Sequence, residues 1–133
     1  MSQFSLGPVE FHLISLPEER PAADVLHALD DVIGAGIVRL LDAVVVTVGP
    51  DGTITTSELD NAVEPALPGL TGEEDVTALA AQLAPGQTAA IVALELVWAK
   101  ALAGKLSASG AAVIGYERIP APVVNAMVDV FGD

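Results

Sequence analysis

The chain has 133 residues, 52% of them apolar but only 4% aromatic, and carries 18 acidic against five basic residues for a formal charge of −13. That length suits one domain able to bury roughly 65–70% of its unfolded surface, around a core that composition makes aliphatic. The bases Arg20, Arg39, Lys100, Lys105 and Arg118 are scattered singly among acids; this excludes the clustered cations that a nucleic acid or an anionic membrane surface requires. The absence of cysteine excludes disulfides, thiolate nucleophiles and thiolate metal sites.

No cationic leader with an apolar core and a cleavage site opens the chain, so the cytoplasm is the expected location. The most apolar stretches, Ile37 to Val48 and Thr88 to Ala99, are too short to span a bilayer and carry Arg39, Asp42 and Glu95. They are expected as buried strands, with no membrane partner.

Val9 to Leu16, between Gly7-Pro8 and Pro17, alternates as a first strand, with Val9, Phe11 and Leu13 on one face and Glu10, His12 and Ile14 on the other. Pro21 suits the first turn of a helix and Glu18 and Glu19 its positive end. Ala22, Val25, Leu26, Leu29, Val32 and Ile33 then follow at helical spacing up to Gly34. Val38 to Val48 reads as a strand, Gly49-Pro50-Asp51-Gly52 as a turn, and Thr53 to Ser57 as the second arm of a hairpin. Residues 58–70, with Pro65, Pro68 and Gly69 and no period, read as a surface loop insertion.

Thr71 with Glu74 three positions on has the form of a capping box, and Val76, Leu79, Ala80 and Leu83 give a short helix its apolar stripe. Thr88 to Val97 is a near-continuous apolar strand of the kind found mid-sheet. Trp98, Leu102 and Leu106 repeat at helical spacing, Ala112 to Ile119 reads as a last strand, and residues 120–133 as a C-terminal helix. Strand, helix and strand thus occur in that order twice, at 9–48 and 88–119.

Right-handed crossovers in both halves predict a single α+β domain: a ferredoxin-like split β-α-β sheet with an extra hairpin strand, an inserted short helix and the C-terminal helix. In that arrangement the strands at 9–16 and 88–97 are central, two helices cover one face, and the other face is open.

Two stretches carry a family resemblance. Val38-Arg39-Leu40-Leu41-Asp42-Ala43-Val44-Val45-Val46 with Asp51-Gly52, and Leu83-Ala84-Pro85-Gly86-Gln87-Thr88-Ala89-Ala90, look like hallmarks of a bacterial family filed as a domain of unknown function. Gly7-Pro8-Val9 and Arg118-Ile119-Pro120 resemble it as well, and the likeness covers nearly the whole chain. More distantly the chain is similar to a larger uncharacterised family with a glycine zipper, from which it departs because residues 58–70 hold no such zipper. The resemblance implies an architecture and brings no activity or cofactor.

Five residues stand out as ligand-binding or interface candidates: His12, Glu95, Asp42, Tyr116 and Arg118. On an open face, His12 and Glu95 of adjacent strands would form an acid/base pair able to move a proton. Asp42, within an apolar strand, needs a partner or water, and Arg118 is a candidate. Tyr116 and Trp98 are the large amphipathic aromatics, with Trp98 expected in the core. Glu73, Glu74 and Asp75 complement a helix dipole. His12 and His27 lack metal-ligand spacing, and no phosphate-binding loop, nucleophile elbow or paired-carboxylate signature appears. No cofactor or catalytic residue is assigned.

The leading expectation is a non-enzymatic homo-oligomer, joined through its open sheet face and binding a protein partner or small ligand. Two others are a small dimeric α+β-barrel-type enzyme using His12 and Glu95, and an acidic adaptor for a basic protein.

Overall fold

Alternation and turn chemistry set the elements in order as β1 (Val9–Ser15), α1 (Ala23–Gly34), β2 (Val38–Val48), β3 (Ile54–Glu58), α2 (Glu73–Ala80), β4 (Thr88–Leu96), α3 (Val97–Ala108) and α4 (Ala121–Phe131). They come from a computed structural model that describes residues 6–16, 23–58 and 64–131. The expected helix start at Pro21, with Glu18 and Glu19, lies outside the described residues. So does 59–63 of the expected loop. Contacts divide the chain into two units, Met1–Leu102 and Ala103–Asp133, each described by itself.

The first unit is built on one four-stranded antiparallel sheet in the order β1-β4-β2-β3. Because β4 runs antiparallel to both β1 and β2, those two are parallel, joined through α1 with β4 inserted between them: a split β-α-β unit. The α+β class and the hairpin follow the sequence. Residues 112–119 do not form the expected last strand, so β1, read as central, lies at an edge and β2 takes its place beside β4.

Register decides which residues share a face. Directly opposed residues of an antiparallel pair point the same way, so His12, Val92 and Ala43 share one face, and Leu13, Ile91 and Val44 the other. Leu29 and Ile33 of α1 pack on the first, against Leu40, Ala43, Val92 and Leu94. Val76, Leu79 and Ala80 of α2, with Leu83, pack on the second, against Val46, Val48 and Ile91. The two helices therefore lie on opposite faces, correcting the expectation of one covered and one open face. The reason is in β4 itself, which is buried at every position from Ala89 to Glu95, as an apolar run without alternation requires. α3 contributes no buried residue, and Trp98, expected in the core, is 53% exposed.

Local chemistry closes the turns. Gly52, at φ 86°, donates to Gly49 O at 3.0 Å while Gly49 donates to Thr53 O at 2.7 Å, a positive-φ position that glycine takes without a Cβ clash. Before β4, Gln87 N reaches Ala84 O at 3.0 Å with Pro85 and Gly86 between them, Gly86 at φ 84°. Pro then Gly at the two central positions is the requirement of a type II turn. The Gln87 side chain caps the Ala84 amide at 3.0 Å, and Gly86 donates to Val48 O at 2.6 Å. The hallmark Pro-Gly-Gln thus hooks the end of α2 onto β2.

Candidate functional site

Three buried or half-buried side-chain clusters carry the polar chemistry of the sheet. At the centre of β2, Leu40 opposes Leu94 and Asp42 opposes Ala93, so Leu41 is the extra residue of a β-bulge. The bulge turns two carbonyls outward: Leu40 O accepts Ala66 N at 3.1 Å and Leu41 O accepts Leu67 N at 2.8 Å. Asp42, only 4% exposed, completes the attachment. Its Oδ1 accepts the Ala43 amide at 3.0 Å and its Oδ2 the Thr71 amide at 2.8 Å. A carboxylate buried in an apolar strand is satisfied by backbone donors, and what it holds is the segment entering α2.

The helix start shifts as a consequence. With its amide committed to Asp42, Thr71 is not the cap; Gly72 is, and Asp75 Oδ2 accepts the Gly72 amide at 3.0 Å. The Thr71 Oγ1 is buried and finds no hydrogen-bond partner among the described residues.

Near the C-terminal end of β4, Glu95 is 2% exposed. Arg39 sits directly opposite it on β2 and brings Nε to 3.3 Å from Oε1, while Gly7 donates its amide to Oε2 at 2.7 Å. Pro8 O accepts the Leu96 amide at 2.7 Å, so the Gly7-Pro8 pair extends the β1 to β4 contact. Only glycine fits here: a Cβ on Gly7 would lie 2.7 Å from Lys100 Cβ and 3.2 Å from Leu96 O.

His12 is not part of that cluster. It opposes Val92, whereas Glu95 opposes Val9, an odd offset that puts the two side chains on opposite faces. His12 Nε2 instead lies 3.0 Å from Oε1 of Glu10, two residues away on the same face. The proton-transfer pair of His12 and Glu95 is therefore not formed. In the second unit, Tyr116 is 91% exposed, and Arg118 lines a surface hollow with Ile119, Pro120, Val124 and Asn125.

Sequence reasoning marked Asp42 and Glu95 but missed Arg39, Thr71 and Gly7 as their partners. For Arg39 a signal existed, since a lone base and a lone acid in two apolar strands satisfy each other when the strands pair. Of the charged groups, Asp51 has a shifted titration: the amide and hydroxyl of Thr53 hold its carboxyl below the usual aspartate range. Among the described residues no three His, Asp or Glu side chains gather to hold a metal ion, and no helix is long and apolar enough to cross a membrane.

No curated protein and no solved structure matches the chain. A family model described as "Family of unknown function (DUF6325)" matches residues 5–133, and the hallmark stretches at 38–46 and 83–90 lie within it.

Proposed function

We propose, for a chain that belongs to this family of unknown function, that the protein is a non-enzymatic homo-oligomer whose assembly binds a protein partner or small ligand in the cytoplasm. One observation carries the reading. Every described side chain from Ser107 to Val130 is exposed, and among them Ile114 is fully exposed, Tyr116 91% and Val130 76%. Apolar surface in water costs about 25 cal/mol per Å², and exposed apolar side chains in this number favour a contact.

β4 is buried on both faces, so in this reading the contact lies on the exposed residues 107–130 rather than on the sheet face. The separation of His12 from Glu95 favours binding over proton transfer. The Asp42 and Glu95 carboxylates support the same choice, because they hold backbone amides and an arginine.

Light scattering at high micromolar concentration tests the reading, and a stable monomer overturns it. Salt separates it from capture of a basic partner. Copies that each carry −13 repel, so apolar self-association tightens as salt rises, whereas attraction between an acidic surface and a basic protein weakens.

A further inference from the structure

We infer that Asp51 is a site of spontaneous covalent modification, conversion to isoaspartate, which the closed β2–β3 turn suppresses and which local opening of the hairpin releases.

The chemistry sets three requirements. The Gly52 nitrogen must reach the side-chain carboxyl carbon of Asp51, its N–H must be free, and the carboxyl must be neutral. The new C–N bond then forms while the amide proton and the carboxyl hydroxyl leave together as water. The product is a five-membered succinimide. Water adds back to either ring carbonyl: opening at the side-chain carbonyl restores aspartate, and opening at the main-chain carbonyl leaves the chain running through Cβ and Cγ, with a free carboxylate on Cα. No oxidant or reductant takes part. Asp51-Gly52 is the only Asp-Gly pair in the sequence, and glycine, having no Cβ, crowds the attacking nitrogen least.

The closed turn withholds each requirement. Pro50 and Asp51 occupy its central positions, Asp51 has negative φ, Gly52 N donates to Gly49 O at 3.0 Å, and Gly52 itself lies at φ 86°. A type I turn followed by a left-handed glycine is the usual form of a three-residue hairpin loop, and it sets ψ of Asp51 at about 0°. The substituents of Cα stand about 120° apart, so closing a flat ring through Cβ needs ψ about 120° from that value.

The reacting groups are also engaged elsewhere. The Gly52 N–H is committed to Gly49 O. Asp51 Oδ1 accepts the Thr53 amide at 3.0 Å and lies over Gly49, where a Cβ would come within 3.1 Å of it. The Thr53 amide and hydroxyl hold this carboxyl below the usual aspartate range, which keeps it ionised. An ionised carboxyl has no hydroxyl to expel.

The turn lies where opening costs little. Residues 50–57 are exposed, and β3 ends the strand order; such end elements open locally well below the cost of global unfolding. One opening event frees the peptide plane, the Gly52 N–H and the carboxyl together. Isoaspartate then lengthens the main chain by one carbon and removes the side chain that bonded Thr53, so a hairpin register set by loop length cannot re-form unchanged.

The test incubates the full chain in water labelled with heavy oxygen, folded and in guanidinium. Each passage through the succinimide places one heavy oxygen at residue 51, and a protease that cuts before aspartate but not isoaspartate scores the product. Labelling at residue 51 is expected to be at least about 10-fold slower in the folded chain, the joint effect of two ordinary hydrogen bonds. Pro50→Gly keeps the Asp51-Gly52 pair but loosens the turn, and is expected to speed the folded-state reaction about 2–5-fold. Hydrogen exchange at the Gly52 amide measures the opening separately, and the labelling rate should rise with it. Absence of label at residue 51 in the unfolded chain overturns the site. Equal rates in the folded and unfolded chains, or a labelling rate unchanged while Gly52 exchange rises, overturn the control by the turn.

Discussion

The Oδ2 oxygen of Asp42 accepts the amide of Thr71 at 2.8 Å across 29 positions of chain, which ties the bulge of β2 to the start of α2. The contact makes a buried charge into a clamp. Ala66 and Leu67 are bonded to the same bulge through Leu40 and Leu41, so the segment before α2 is fixed at three points.

Asp42→Ala strands two donors, the amides of Ala43 and Thr71, while Asp42→Asn keeps one acceptor oxygen. Asp42→Ala is expected to lower stability by about 3 kcal/mol, roughly twice the loss for Asp42→Asn. Urea unfolding gives both values, and hydrogen exchange at the Thr71 amide localises the effect. Equal losses for the two variants would show that the carboxylate is held by something other than these amides.

Thr71 offers the opposite sign. Its hydroxyl oxygen is buried and unpartnered among the described residues, whereas its amide is used. Thr71→Val keeps the amide and the shape and removes the unsatisfied group, so it is expected to raise stability by about 1 kcal/mol. A lower urea midpoint for Thr71→Val than for the unmodified chain contradicts this.

What the sequence made legible was local. The Gly49 to Gly52 turn and the Pro85-Gly86 turn are set by φ requirements within four residues, and both form where their residues stand. β4 was legible as a central strand, and its unbroken apolar run already implied cover on both faces, against an open one. Whether His12 and Glu95 share a face was not legible, because it depends on a register between strands more than 70 residues apart. The bulge at Leu41 inserts one residue and shifts the phase of β2 besides. The Thr71 cap failed for a similar reason: a tertiary acceptor, Asp42, took the amide that the Glu74 side chain accepts in a capping box. Ala112 to Ile119 has strand composition, yet no strand is assigned to it.

The pH dependence of the β2–β3 turn follows from Asp51. Its carboxyl is held below the usual aspartate range by Thr53, so the unfolded chain binds the proton at higher pH than the folded one. The contribution is complete above the usual aspartate pKa and is lost as pH falls through the lowered folded value. An NMR titration of the Thr53 amide should show a midpoint below that of a free aspartate, and Asp51→Asn should remove the transition. A midpoint at or above the free value would reverse the sign.

Glu95 and Arg39 are unequal partners. The carboxylate is nearly inaccessible, whereas the Arg39 side chain is 45% exposed, so water can solvate the cation if the acid is removed but cannot reach the acid if the cation is removed. Arg39→Met leaves a buried charge with the Gly7 amide as its remaining support in this cluster and is expected to cost about 2–3 kcal/mol. Glu95→Gln keeps an acceptor for Gly7 and leaves a half-exposed arginine, at a cost of about 1 kcal/mol. The double variant Arg39→Met/Glu95→Gln should recover part of the Arg39→Met loss, since no buried charge is then left without a partner. Urea midpoints for the four proteins close this cycle. If Glu95→Gln proves costlier than Arg39→Met, the dominant role of the acid is to hold Gly7 rather than to balance Arg39.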